Sequence, residues 1–293
     1  MTFPAFAPSE LILNPDQSVY HLHLQKAHLC DTIIAVGDPE RVGEVSRHFQ
    51  NITHRIQKRE FVTHIGTYKG ERLMVISSGI GTDNIDILMN ELDALANIDF
   101  EKRQVRPDVR SFRLIRIGTS GTIQPNIPVG SFLASQRAVG LDALGSFYQM
   151  PQSEQEKQML EALQKQIALP FLPYTAQADS ALIDKVGFDM IRGTTLTACG
   201  FYAPQGRVLR CTPAMPNLIE KLAAFRYDLG AESLRLTNLE METAGYYAFG
   251  KILGHQVLSL NAILANRQTG EFASNPQMYV EGLIEQTLSR LFS

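Results

Sequence analysis

Apolar runs of two kinds alternate along the chain. Residues 32–36, 131–138, 194–199 and 257–264 are short and continuous, and each reads as a strand. Residues 114–121 start the same way, but Arg116 interrupts the run before Gly118-Thr119-Ser120-Gly121. Residues 60–67 and 72–77 predict a hairpin across Lys69-Gly70. The helical period appears over 84–97, where Ile85, Leu88, Leu92 and Leu95 share a face. Further helices are expected at 42–49, 153–168 with a Ser153/Glu156 capping box, 179–187, 216–229 closed by Gly230, from 238–244 to Leu253 before Gly254, and 276–291. Residues 20–24 alternate like a strand and would put His21 and His23 on one face, a pattern shared with metal pairs but without a third ligand in reach. Residues 1–18 carry Pro4, Pro8 and Pro15 and read as an arm over the domain or over a neighbour; 99–113 reads as a charged surface insertion. With no repeat and no linker, residues 19–293 are expected to form one domain.

Composition narrows the class. A chain of 293 residues with 44% hydrophobic and 19% charged residues suits a large α/β domain. A net charge of −3 argues against a general nucleic-acid binder. No apolar run reaches membrane-span length and the start lacks a basic leader, so a cytoplasmic protein away from membranes is expected. Cys30, Cys199 and Cys211 are expected to be reduced, buried thiols.

Several turns carry candidate chemistry. A strand, then Gly37-Asp38-Pro39-Glu40-Arg41, then a helix is an arrangement that holds an anion at a helix N-terminus; Asp-Pro is also an ordinary helix start. Arg116 in a buried strand needs a partner, either a structural carboxylate or an anion at the strand end. Phe201-Tyr202 with Gln205-Gly206-Arg207 offers an amide, a guanidinium and rings suited to a planar base, or simply a polar turn. Glu240-Met241-Glu242 places acids at a helix start, where they suit the dipole or bind sugar hydroxyls. Gly79-Ile80-Gly81 gives two glycines of a dinucleotide fingerprint, with Asn84 in place of the third.

Together these motifs, with Arg59-Glu60-Phe61 and Ser78-Gly79-Ile80-Gly81, keep the order and rough spacing found in the nucleoside phosphorylase superfamily, and the chain resembles in particular its members that act on uridine. The resemblance implies a three-layer α/β/α sandwich around a mixed, partly barrel-like sheet, and phosphorolysis of a pyrimidine nucleoside to uracil and ribose 1-phosphate. It implies phosphate on Gly37, Arg41, Arg116 and Thr119, with Arg59 reaching the phosphate of an adjacent subunit. It assigns ribose to Met241 and Glu242 with Glu240 nearby, and to His21 across a subunit boundary. It assigns the base to Phe201, Gln205 and Arg207. Arg116, Gln205, Arg207 and Glu242 would carry the chemistry, with no metal and with inorganic phosphate as co-substrate. A monovalent cation between subunits would sit at Glu60 and Ile80, but Thr82-Asp83-Asn84 departs from the Gly-Pro-Ser of many relatives there. A homodimer, or a hexamer built from dimers, is implied.

Rival readings are a purine nucleoside phosphorylase, a hydrolytic nucleosidase of the same fold, a non-catalytic nucleoside-binding protein and a dehydrogenase. Residues 261–267 carry no acid where purine-specific members have an aspartate, and the three phosphate arginines exceed what a nucleosidase needs.

Overall fold

The computed structural model describes residues 5–228, 230 and 233–293. In chain order the elements are β1 (Thr32–Val36), α1 (Pro39–Ser46), β2 (Asn51–Lys58), β3 (Phe61–Tyr68), β4 (Glu71–Ser77), α2 (Thr82–Asn97), β5 (Ile98–Asp99), β6 (Gln104–Val105), β7 (Arg113–Thr122), β8 (Phe132–Leu141), α3 (Glu154–Ile167), β9 (Tyr174–Gln177), α4 (Ser180–Val186), β10 (Ile191–Ala198), α5 (Leu218–Ala224), β11 (Arg226–Asp228), β12 (Ser233–Glu240), α6 (Thr243–Leu253), β13 (Gln256–Asn266), β14 (Glu271–Phe272) and α7 (Pro276–Leu291).

One mixed sheet organises them, in the order β11-β12-β10-β8-β13-β7-β1-β4-β3-β2. A further antiparallel pairing, Asn238 with Thr122 and Leu239 with Gly121, joins β12 to β7. It closes β12, β10, β8, β13 and β7 into a ring, so the sheet is part barrel and part open, as the resemblance implies.

The pleat of β1 divides the apolar interior. Ile33 and Ala35 pack with Ile85 and Leu88 of α2 and Tyr246 of α6. Ile34 and Val36 pack on the other face with Val42 of α1 and Leu283 of α7. Both faces of β1 are fully buried, which is why its sequence is an unbroken apolar run.

Caps set the helix starts. Asp38 accepts from the Glu40 amide at 2.9 Å ahead of Pro39, so α1 begins at Pro39 and ends at Ser46. The Ser153/Glu156 capping box is present at α3.

Several expectations need correction. Residues 20–24 are a turn, not a strand: His23 takes a left-handed φ of 56°, and the His21 and Leu22 amides donate to the Glu91 carboxylate instead of a ladder. Leu22 and Leu24 are buried, so the alternation reports burial without a strand. His21 pairs with Glu91 and His23 lies 3.6 Å from Asp16, so the two rings have separate partners. The helix expected over 216–229 is α5 followed by β11, which pairs antiparallel with β12; Leu229 lies outside the described residues. Residues 238–240 complete β12, and α6 starts at Thr243. Of the cysteines only Cys30 is buried; Cys199 and Cys211 are exposed.

The described part of the arm is tied to the 99–113 segment of its own chain. Phe6 donates to the Arg103 carbonyl at 2.8 Å, and Arg103 side-chain nitrogens donate to the carbonyls of Phe6, Ala7 and Leu11. Among the described residues no helix is long and apolar enough to cross a membrane.

Candidate active site

The strand pair β1 and β7 and the strand pair β10 and β12, each parallel within itself, deliver their C-terminal ends to one cavity of about 630 Å³. Gly37 follows β1 and lines it, with Arg41 from the first turn of α1. The Arg41 guanidinium reaches toward β7, where Nη1 lies 3.5 Å from the Ile117 carbonyl oxygen. Its Nε is buried without a hydrogen-bond partner, and the Glu44 carboxylate stands 4.0 Å away. Burial, helped by the Arg116 charge, holds the Arg41 pKa below the usual arginine value against the pull of Asp38 and Glu44.

Arg116 folds back along β7 over Gly118. A Cβ at position 118 would stand 2.0 Å from Nη1, so only glycine leaves room for this rotamer. The guanidinium is 4% exposed. Nη2 lies 2.6 Å from Glu242 Oε2 and 3.0 Å from Glu240 Oε2, while Nη1 donates to Asn261 Oδ1 at 3.2 Å. Burial opposes the charge, but Glu240 and Glu242 together outweigh it and raise the Arg116 pKa. Thr119 and Ser120 follow on β7 and also line the cavity.

The two glutamates differ in their work. Glu240, at the end of β12, accepts from Thr197 Oγ1 at 2.6 Å and from the amides of Glu242 and Thr243 at 3.0 and 2.9 Å. It thereby caps α6. Glu242 accepts from the Gly81 amide with Oε1 at 2.8 Å and from Arg116 with Oε2. Burial raises the Glu242 pKa, Arg116 opposes that, and Glu240 adds to it. Met241 lies between them on the cavity wall.

At the far end, residues Ala203–Gln205 form a single 3-10 turn closed by Gly206 at φ 66°. Gln205 is buried. The Arg207 guanidinium sits 3.6 Å over the Phe201 ring and donates to Gln205 Oε1 and to the Phe201 carbonyl, both at 2.7 Å. That bond occupies the Gln205 amide oxygen and leaves the NH₂ group for a ligand. Arg267, which the sequence reading did not single out, donates to the Gln205 carbonyl at 3.0 Å and fixes the turn. Its position at the C-terminal end of a buried strand, like that of the residues after β1 and β10, was the available signal. Burial, and then the charge of Arg267, push Arg207 down to about 10.

The structure therefore brings Gly37, Arg41, Arg116, Thr119, Phe201, Gln205, Arg207, Glu240, Met241 and Glu242 to one cavity. Arg59 and His21 are not among its lining residues. Arg59 is an exposed turn residue at φ 53°, and His21 Nδ1 lies 2.6 Å from Glu91 Oε1. Glu60 and Ile80 line the rim, with Ile80 exposed. The cavity wall offers the Arg41 and Arg116 guanidiniums, the Glu240 and Glu242 carboxylates, and the Gln205 amide with Arg207 and the Phe201 ring. Such a set has the donors and acceptors to hold an anion, a polyol and a planar heterocycle.

Residues 31–292 match the family model of the phosphorylase superfamily, and the chain belongs to that superfamily. A uridine phosphorylase of Thermococcus kodakarensis is 29% identical over 258 residues, covering 86% of this chain and 79% of its own. A uridine phosphorylase of Haemophilus influenzae is 28% identical over 277 residues, 94% of each chain. The crystal structure of a Trypanosoma brucei nucleoside phosphorylase, described as showing uridine phosphorylase activity, superposes with a TM-score of 0.87 at 28% identity, covering 96% of this chain and 99% of that one.

Proposed function

We propose that this chain is a uridine phosphorylase, converting uridine and inorganic phosphate to uracil and ribose 1-phosphate in nucleoside salvage. The observation that carries the reading is that one cavity collects Arg41 and Arg116, Met241 and Glu242, and Gln205 and Arg207 with Phe201. Gly37, Arg41, Arg116 and Thr119 hold the phosphate. Arg41, with an unpartnered buried Nε, has the more open donor of the two guanidiniums. Glu242 accepts from the ribose hydroxyls, beside Met241, and sets C1′ over the phosphate; Glu240 serves through the α6 cap and Arg116. A phosphate oxygen bonds to C1′ as the bond from C1′ to the base nitrogen breaks, and that electron pair leaves with the base. The Gln205 NH₂ and the Arg207 guanidinium donate to the developing negative charge, while Phe201 stacks on the ring. Solvent then supplies the proton that makes neutral uracil.

The amide and guanidinium at the base end, and the absence of an acid among residues 261–267, favour uridine over purine nucleosides. The likeness to the uridine phosphorylases of Thermococcus kodakarensis and Haemophilus influenzae supports the same choice. The reading carries a cytoplasmic site of action and a homodimer, or a hexamer of dimers, in which Arg59 and His21 complete the cavity of a second copy. The chemistry calls for no metal. A monovalent cation between copies would sit at Glu60 and Ile80; beside them Asn84 turns its Nδ2, a donor group, toward Gly79, which suits a cation poorly, and no step passes through such an ion.

Uridine incubated with and without phosphate tests the reading. Uracil is expected only with phosphate. Equal release without it identifies a nucleosidase, and no release in either condition identifies a binding protein.

A further inference from the structure

The interior of the closed ring carries a file of hydrogen bonds from Arg116 to Ser120, with side branches to Ser259 and Thr237. Arg116 Nη1 donates to Asn261 Oδ1 at 3.2 Å, and Asn261 Nδ2 donates to Ser135 Oγ at 3.3 Å. Ser135 Oγ and Thr195 Oγ1 are 2.6 Å apart. Thr195 Oγ1 donates to Asn238 Oδ1, and Asn238 Nδ2 donates to Ser120 Oγ, both at 2.9 Å. The four intermediates are fully buried. They come from β13, β8, β10 and β12, and both ends stand on β7, so the file leaves β7, visits each of the other four strands of the ring once and returns to it. Both ends also line the cavity.

The file has one direction, and Arg116 sets it. A guanidinium only donates, so Asn261 turns its oxygen to Arg116 and its NH₂ to Ser135. Ser135 then spends its one proton on Thr195, and Thr195 spends its own on Asn238. The Asn238 oxygen therefore faces Thr195 and its NH₂ faces Ser120. If the Asn238 amide were turned over, the protons of Ser135 and Thr195 would compete for their one short contact. One buried hydroxyl would then lack an acceptor. Thr237 does not change this result, because its one proton is claimed by the Thr194 carbonyl as well as by Asn238. In the satisfied arrangement Ser120 Oγ accepts from inside the ring, and its own proton is left for the cavity.

We propose that Asn261, Ser135, Thr195 and Asn238 are positioning residues that hold the Arg116 guanidinium and keep the Ser120 hydroxyl as a donor to the bound ligand. This rests on the phosphorolysis reading for its assay, and its logic concerns the file alone. The four residues act through Arg116 and Ser120 and lie outside the cavity wall.

A double-mutant cycle tests it. Thr195→Val keeps the side-chain shape and removes the hydroxyl. It is expected to lower kcat/KM for uridine by about 3- to 10-fold, the range for one neutral hydrogen bond. Thr195→Ser returns the hydroxyl and is expected to stay within about twofold of the unmodified enzyme. In a Ser120→Ala background the terminal hydroxyl is gone, so Thr195→Val is expected to change kcat/KM less than about twofold. An equal loss in both backgrounds, or unmodified kinetics with only a lowered Tm, would overturn the proposal. If Thr195→Val does not fold, Ser135→Ala takes its place in the same cycle with the same criteria. Lack of phosphate-dependent uracil release from the unmodified enzyme defeats the phosphorolysis reading instead. The cycle is then read on the Kd of inorganic phosphate or uridine by calorimetry, where equal factors in both backgrounds defeat the file.

Discussion

Arg116 and Glu242 meet at 2.6 Å inside the cavity, and Glu240 closes on the same guanidinium at 3.0 Å. In the proposed reaction the guanidinium assigned to phosphate is thus held by the carboxylate assigned to ribose, and the pair would fix the separation of the two substrates. Removing the arginine would strand two buried carboxylates, at a cost of about 3–5 kcal/mol for a broken buried pair. Activity lost in Arg116→Ala would therefore mix folding with chemistry, and cleaner variants lie beside it.

Gly118→Ala is the first of these. The new Cβ would meet Arg116 Nη1 at 2.0 Å and displace the guanidinium while leaving its charge in place. A displacement of about 1 Å in a catalytic array costs roughly 10²-fold, so kcat/KM should fall by about that factor with circular dichroism unchanged. Unaltered turnover in a folded Gly118→Ala protein would show that the close approach is unimportant.

Arg207→Ala removes the cation above Phe201 and, on the proposed function, one donor to the departing base. Its kcat/KM on uridine should fall by at least ~10², the scale of one transition-state donor. Inosine and adenosine leave paired hydrogen-bonding groups unmet in this site. They should be poorer than uridine by factors up to roughly 10⁴–10⁵. Comparable rates on inosine would reassign the base end.

Arg59 and His21 stand outside the cavity of their own chain, and complementation asks whether they serve another. If both meet phosphate as proposed, Arg59→Ala and Arg41→Ala should each be nearly inactive, since each would remove a charge-assisted contact. Arg41 is preferred to Arg116 here because no carboxylate lies closer than 4.0 Å to its Nε. After unfolding and refolding an equal mixture, half the dimers are mixed and each mixed dimer holds one intact site. About a quarter of all sites should recover. A mixture as inactive as its parents, with mixed dimers seen by mass spectrometry, would return Arg59 to a solvated role.

Burial pushes the Cys30 thiol up to about 11, whereas Cys199 and Cys211 are exposed. At pH 8 the Cys30 thiolate is therefore scarce as well as shielded. A thiol-reactive dye should titrate two groups per chain in the folded protein and a third only after denaturation. Three fast-reacting thiols in the native state would contradict the placement of Cys30.

Local chemistry made much of this legible. The runs that became β1 and β13 are buried on both faces, so their sequences show it. Asp38-Pro39 and Ser153/Glu156 announce helix starts through backbone donors they satisfy or remove. The edge strand β2 did not show, because its residues are mostly exposed and polar and its pairing with β3 is a tertiary fact. β11 was hidden for a related reason: its pattern continues that of α5, and only its ladder with β12 makes it a strand. At Arg116 the sequence left a carboxylate partner and a ligand site as alternatives. The structure gives it the carboxylate partners, Glu240 and Glu242, and puts all three on the cavity wall. Asn238, Asn261 and Arg267 went unremarked because an amide or arginine near a strand end gains meaning only from neighbours far away in sequence.

The wall of the cavity runs from Gly37 to Phe272, and the β12–β7 pairing that closes the ring joins segments more than a hundred residues apart. Long loops must close before such contacts form, which makes them late and slow to form. A fragment cut anywhere between β1 and β13 lacks either Gly37 and the start of the wall or Leu264, Ala265 and Phe272 at its end, and so should not act as a dim version of the whole. Regain of turnover during refolding should thus trail the return of secondary structure, making catalysis a stringent reporter of completed folding for this chain.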